Sequence, residues 1–165
     1  MSRMMDQLRR RQEDRGLMAA LRCILIKNKK HRAWPALHRL GVVIDDGRSP
    51  LPFIAGLYAK HPKETNSGNF GDTCKTIQKR RDEKAGEDNK LTPTERRFQH
   101  LLAATDRNEL KNRVLRMALM AKAQDVPINF EQLANDMKYW NDRTKIEWAS
   151  SFWAQGKASE EEETS

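Results

Sequence analysis

Apolar side chains recur at helical spacing through most of the chain. Leu17, Met18, Leu21, Ile24 and Leu25 fall at i, i+1, i+4, i+7 and i+8, one face of an amphipathic helix. Arg11, Arg15, Arg22 and Lys29, at intervals of four, seven and seven, predict a charged stripe on another face of the same element. Trp34-Pro35 opens a short helix, with Pro at its first position, and Leu37, Leu40 and Gly41 supply an apolar face and a stop. Pro52 repeats the device ahead of Phe53, Ile54, Leu57 and Tyr58, and Pro62 ends that helix. After a Gly/Asn/Ser loop over 66–71, Phe70, Cys74 and Ile77 predict a helix whose other side carries Lys75, Lys79 and Arg80.

The pattern breaks at 82–90, where no aliphatic side chain exceeds Ala85 and the Asp, Glu, Lys, Gly and Asn mixture cannot offset the entropy of ordering. Helical signals then resume. Thr92-Pro93-Thr94-Glu95 is a capping box ahead of Phe98, Leu101 and Leu102; Asp106 and Glu109 repeat the cap ahead of Leu110, Val114, Met117, Ala118 and Ala121. Asn129 caps a helix with Phe130, Leu133, Ala134 and Met137 inside, and a last helix carries Ile146, Trp148, Ala149, Phe152 and Trp153. Val42, Val43 and Ile44 form the one β-branched run, closed at once by Asp45-Asp46-Gly47. The pattern predicts an all-α fold of two small helical lobes or bundles joined by a polar linker. The boundaries are 1–81 for the first lobe, 82–91 for the linker, 92–156 for the second bundle and 157–165 for a disordered acidic tail.

Charge changes this picture. Thirty-one Lys and Arg against 23 Asp and Glu leave a net +8, and the excess lies on helix-patterned segments. Residues 1–32 hold ten basic and three acidic side chains, whereas 157–165 hold one Lys and four Glu. A folded basic surface of this kind concentrates polyanions without reading base sequence. On the residues alone, Arg15, Arg22, Lys27 and Lys30 of the first long segment, Lys75 and Lys79 of the fourth, and Lys111, Arg113, Arg116 and Lys122 of the helix whose apolar face is Leu110 to Ala121 are candidates for one basic groove across both lobes, provided the lobes face the same way.

No catalytic constellation accompanies that charge. His31, His38, His61 and His100 lack the pairing or nearby Cys and carboxylates of a zinc site. The Gly68-Asn69-Phe70-Gly71 turn lacks the Lys-Ser/Thr of a Walker loop and a preceding strand. A non-enzymatic protein with no metal and no cofactor is expected. Cys23 and Cys74 fit lone buried thiols in a reducing compartment, no run reaches the roughly 18 apolar residues of a membrane span, and the polar, basic start does not resemble a secretory signal, so a cytoplasmic location is expected. Trp140, Trp148 and Trp153 lie at spacings that suit packing, while Trp34 suits either packing or base stacking.

Taken in order, Arg15-Gly16 through Leu21-Arg22, the 53–62 run Phe-Ile-Ala-Gly-Leu-Tyr-Ala-Lys-His-Pro, the helix start at Gly71, Phe98 through Leu102, and 129–153 with Asp136, Trp140, Trp148 and Phe152 resemble the CasB-type small subunit of the type I-E CRISPR Cascade complex. The resemblance spans about 15–153 and rests on the ordered set. It implies an all-helical, two-lobed, non-catalytic subunit that sits as a dimer in an RNA-guided antiviral surveillance complex. Its partners would be the backbone subunits, the large subunit, the guide RNA and the target DNA, mainly the displaced strand, with no membrane. By the same resemblance Arg22, Lys75, Lys79, Arg116 and Arg143 would hold phosphates of that strand, where guide pairing supplies sequence specificity. Family members often double the arginine after the first-helix Leu; here Cys23 follows Arg22, and Lys27 or Lys30 would substitute. A free-standing helical DNA-binding regulator and a pure assembly scaffold are the alternatives.

Overall fold

A computed structural model describes residues 2–84 and 90–154. In chain order the helices are α1 (Ser2–Arg10), α2 (Arg15–Arg22), α3 (Trp34–Arg39), α4 (Leu51–Lys60), α5 (Phe70–Arg80), α6 (Pro93–Leu102), α7 (Arg107–Ala123), α8 (Phe130–Lys138) and α9 (Asp142–Trp153), with 3₁₀ turns at Cys23–Leu25 and Lys30–Ala33. The described residues contain no strand. Their only β pairing is a single parallel bridge, Glu64 to Ile128. The Val42–Ile44 run is not helical, and Val43 and Ile44 are exposed.

Local chemistry sets the helix starts. Asn69 caps α5 through its side-chain oxygen while Asp72 reaches back to the Asn69 amide, and Thr92 and Glu95 form the same reciprocal pair on α6. Asp106, Asn129 and Asn141 cap α7, α8 and α9. At the other end of α5, Glu83 accepts hydrogen bonds from the Thr94 amide and hydroxyl, so the start of the predicted linker is fastened to α6. Residues 85–89 of that linker, and the predicted acidic tail, lie outside the described residues.

Two expectations change in the N-terminal third. The long first helix is interrupted: α2 starts at an Asp14 cap and ends at Arg22, where the 3₁₀ turn takes over. Arg11 therefore lies in the turn before α2 and Lys29 in the turn after it, and the four-residue charged stripe does not exist as one helical face. Ahead of it stands α1, which packs Met4, Met5 and Leu8 into the core. Only three apolar residues in an Arg-rich stretch announce that helix. It is held from outside by Arg9, whose guanidinium donates to both Glu64 carboxylate oxygens at 2.9–3.2 Å.

One contiguous hydrophobic core runs through helices on both sides of 82–91. The α5–α9 contact is its most extensive helix pair and is close enough to forbid a side chain at residue 71, where a Cβ would lie 2.1 Å from the Trp148 carbonyl oxygen. Phe70 packs on the Trp148 ring at 5.4 Å, Trp140 lies 4.9 Å from it on another side, and the Trp148 indole N–H donates to buried Asp136 at 2.8 Å. On α9 the buried residues Thr144, Trp148 and Phe152 fall at i, i+4 and i+8. Ile146, expected inside, lies about 200° round the helix from Trp148 and is 63% exposed. Trp153 is exposed at one edge but packs on Phe98 and Phe152 and donates to Glu95 at 2.8 Å.

Gly71→Ala should force α5 and α9 apart and lower stability by about 1–3 kcal/mol, the usual cost of overpacking; an unchanged urea midpoint would refute the close approach. Burial raises the pKa of Asp136, although Trp148 and Gln132 donate to it. Its folded value thus exceeds its unfolded one, and stability falls as pH rises from the ordinary aspartate range through the folded value. Urea titrations should show the wild type losing stability relative to Asp136→Asn over that window, with the gap constant above it.

Candidate nucleic-acid interface

A groove with a cavity of about 490 Å³ opens between the 24–53 segment and α7. Its shape follows from short-range chemistry on the first wall. After α2 ends, the Cys23–Leu25 turn and extended Ile26 lead to the Lys30–Ala33 turn, and Trp34-Pro35 starts α3. Gly41, at φ +73°, stops α3, and the chain beyond it brings Ile44, Asp45 and Asp46 to the groove. The Asp45 carboxylate then accepts from the Gly47 and Ser49 amides at 2.8 and 3.2 Å, and Asp46 pairs with Arg48 at 2.9 Å. Both acidic groups are thus engaged within their own turn.

Helix α7 forms the opposite wall through Asn108, Lys111, Asn112 and Leu115. Lys111 Nζ donates to the Gly47 carbonyl at 2.8 Å and ties α7 to the loop. Burial, and then the nearby Lys30 charge, lower the Lys111 pKa, with Asp45 acting the other way. Lys27 and Lys30, both exposed, line the same groove and make no ion pair among the described residues.

Of the eleven cations anticipated from the sequence, Lys27, Lys30 and Lys111 share this groove; the others do not line it. Arg15 is exposed in the first turn of α2. Arg22 donates through Nε to the Ala59 carbonyl at 3.2 Å and fastens α2 to α4. On α5, Lys75 is half-buried and Lys79 exposed, while the next residue, Arg80, donates to the Gln124 carbonyl at 2.8 Å at the end of α7. Arg113 is the most committed: its guanidinium donates to the His100 carbonyl at 2.8 Å and lies 3.5 Å from Glu109. Arg116, one turn on, is exposed with no side-chain hydrogen bond among the described residues, and Arg143 is 89% exposed in a 3.3 Å pair with Glu147.

The sequence puts Lys111 with Lys27 and Lys30 among the candidates for one groove, and these three do line the same groove; what it could not show is which of the other candidates would stand elsewhere, because no local signal encodes how segments some 80 residues apart pack. Among the described residues no cluster of three His, Cys, Asp or Glu side chains could hold a metal, and no helix is long and apolar enough to cross a membrane. His61 is buried, donating from Nε2 to the Val126 carbonyl at 2.7 Å.

The sequence pattern of CRISPR-associated protein Cse2 matches residues 7–153. The chain belongs to the Cse2 family. Among solved structures, a CRISPR-associated Cse2-family protein from Thermus thermophilus superposes with a TM-score of 0.70 at 20% identity, covering 93% of this chain and 97% of that one. A structure of CasB from Thermus thermophilus gives a TM-score of 0.69 at 20% identity with the same coverage, and M. ruber CasB gives 0.62 at 22% identity over 90% of this chain and 89% of that one. No curated protein sequence matches it. The all-helical fold is that of these Cse2 and CasB structures, and membership supports a place as a CRISPR Cascade subunit in a family of structural subunits not known as enzymes.

Lys111→Met keeps the aliphatic stem and removes the donor to Gly47. Hydrogen exchange at the amides of 45–49 should accelerate in this variant while the α5 and α9 amides stay protected; unchanged exchange at 45–49 would show that the Lys111 bond does not hold the loop.

Proposed function

We propose that this Cse2-family chain is a non-catalytic small subunit of a cytoplasmic, RNA-guided Cascade surveillance complex, and that it stabilises the R-loop by holding the displaced DNA strand. The observation that carries this reading is the meeting of Lys27, Lys30 and Lys111 at one groove whose acidic residues are already engaged in their own turn. Cations of this kind bind sugar-phosphate irrespective of sequence, which suits a complex whose specificity comes from guide pairing.

Arg15, Arg22, Lys27, Lys30, Lys75, Lys79, Arg113, Arg116 and Arg143 are the proposed phosphate-binding set. Within it the cations without a partner among the described residues, Arg15, Lys27, Lys30, Lys75, Lys79 and Arg116, need break no existing bond to engage a strand. Arg22, Arg113 and Arg143 would exchange or share a present partner. The lobes 1–81 and 92–156 would each present part of this set.

Protein contacts belong to the same proposal: the backbone subunits, the large subunit and a second copy of this chain, with guide RNA alongside.

The test is charge reversal within the assembled complex. Lys27→Glu, Lys30→Glu and Arg116→Glu together should leave co-purification intact, shorten retention of the target, and reduce the slope of log K against log salt by about 0.7 for each single-strand phosphate no longer neutralised. Retention and slope equal to wild type would refute the strand-holding role and leave an assembly scaffold as the remaining reading.

A further inference from the structure

We infer that the groove between the 24–53 segment and α7 receives one unpaired nucleobase of a single-stranded nucleic acid, stacked on the Trp34 indole, with Lys27 and Lys30 on the flanking phosphates. The inference rests on the nucleic-acid reading above and adds a base subsite to it.

Trp34 is the first reason. It lines the groove and is 46% exposed, although tryptophan is ordinarily well covered. Its one aromatic neighbour among the described residues, His31, lies at 76° to it with the centroids 6.3 Å apart, so no ring is stacked parallel on the indole. Trp140, Trp148 and Trp153 each have a hydrogen-bonded indole N–H, to Ala104, Asp136 and Glu95; Trp34 has none among the described residues. Three tryptophans are thus fixed by the fold, and this one is not.

The groove is the second. Its cavity of about 490 Å³ falls within the roughly 300–1,000 Å³ typical of ligand sites. Ile24, Leu37 and Phe53 give it an apolar floor. Asn108 and Asn112, at i and i+4, stand on the α7 wall, exposed and without side-chain hydrogen bonds among the described residues. A carboxamide both donates and accepts, so two of them can meet the polar edge of any base. Stacking is likewise tolerant of base identity, because every base has a π face. A paired base offers neither its face nor its Watson–Crick edge, so the site selects single strands.

The lysines complete it. Lys27 and Lys30 stand at the rim and are free to meet phosphate, whereas Lys111 is bound to the Gly47 carbonyl and acts as a wall that keeps the 45–49 turn in place.

The experiment uses the full chain at low salt, with a fluorescent oligothymidylate and an abasic oligomer of equal length and charge. The wild type should prefer the base-bearing strand by about tenfold, a value inside the range for one stacked base. Trp34→Ala should abolish that preference by weakening oligothymidylate binding alone, with abasic affinity and salt slope unchanged, and Trp34→Phe should retain most of it. Lys27→Ala with Lys30→Ala should weaken both oligomers. Equal wild-type affinity for the two strands, or equal losses on both in Trp34→Ala, overturns the base subsite and leaves phosphate binding standing. Binding of neither strand overturns the subsite and the nucleic-acid reading together.

Discussion

The absence of a side chain at residue 71 lets α5 lie against the backbone of α9, and the relation between the two halves of the chain depends on that contact. A Cβ there would overlap the Trp148 carbonyl, so the helices meet backbone to backbone at this point. Around it Trp148 is enclosed by Phe70 and Trp140 and held by the carboxylate of Asp136, which fixes α8 as well as α5 and α9. A second close approach does the same work inside the first half. At Gly56 a Cβ would lie 2.1 Å from Ile24 Cγ2, so α4 can back directly onto the Cys23–Leu25 turn. The groove stands downstream of both contacts: one of its walls begins at Ile24, and the other belongs to the half that Gly71 docks.

Charge on this molecule divides by what each side chain already holds. Arg9, Arg22, Arg80 and Arg113 reach carbonyls or carboxylates on other segments of the chain, and their planar, multi-donor heads suit such fixed geometry. The lysines of the groove rim do not. A lysine ammonium is a flexible point charge, suited to a partner whose phosphates can slide. That division separates cations held within the fold from cations without a partner among the described residues more sharply than the net charge does, since a total of +8 says nothing about commitment.

Much of the second half was legible because its signals are local. The Thr92–Glu95 capping box, the Asp106 and Asn129 caps, and the apolar period from Leu110 to Ala121 each act within a turn or two, and each appears in the fold as the pattern implies. The first half was harder to read for a physical reason. Leu17 through Leu25 keep helical spacing across the end of α2, so periodicity cannot reveal the change to a 3₁₀ turn at Cys23, and α1 offers only Met4, Met5 and Leu8 against a run of arginines. Candidate site residues suffered most. A helical wheel shows that Lys111 and Arg113 both lie on α7, but only the packing of other helices decides that one closes a groove and the other grips His100.

Sequence-blind binding and a shaped groove are compatible. Phosphate attraction is long-ranged and sets how often and how strongly a strand is met, but at about 8 Å of screening length in physiological salt it fixes neither register nor strand state. A short-range contact that any base can make, and that a paired base cannot, supplies strand selectivity without adding preference for letters. In the inferred subsite Trp34, Asn108 and Asn112 would have that tolerance, and Lys27 and Lys30 the range. In an assembly where guide pairing reads the target strand, the released strand is the one with unpaired bases. On the proposed function, a surface that combined both kinds of contact would act against reannealing by occupying the faces that rewinding would need.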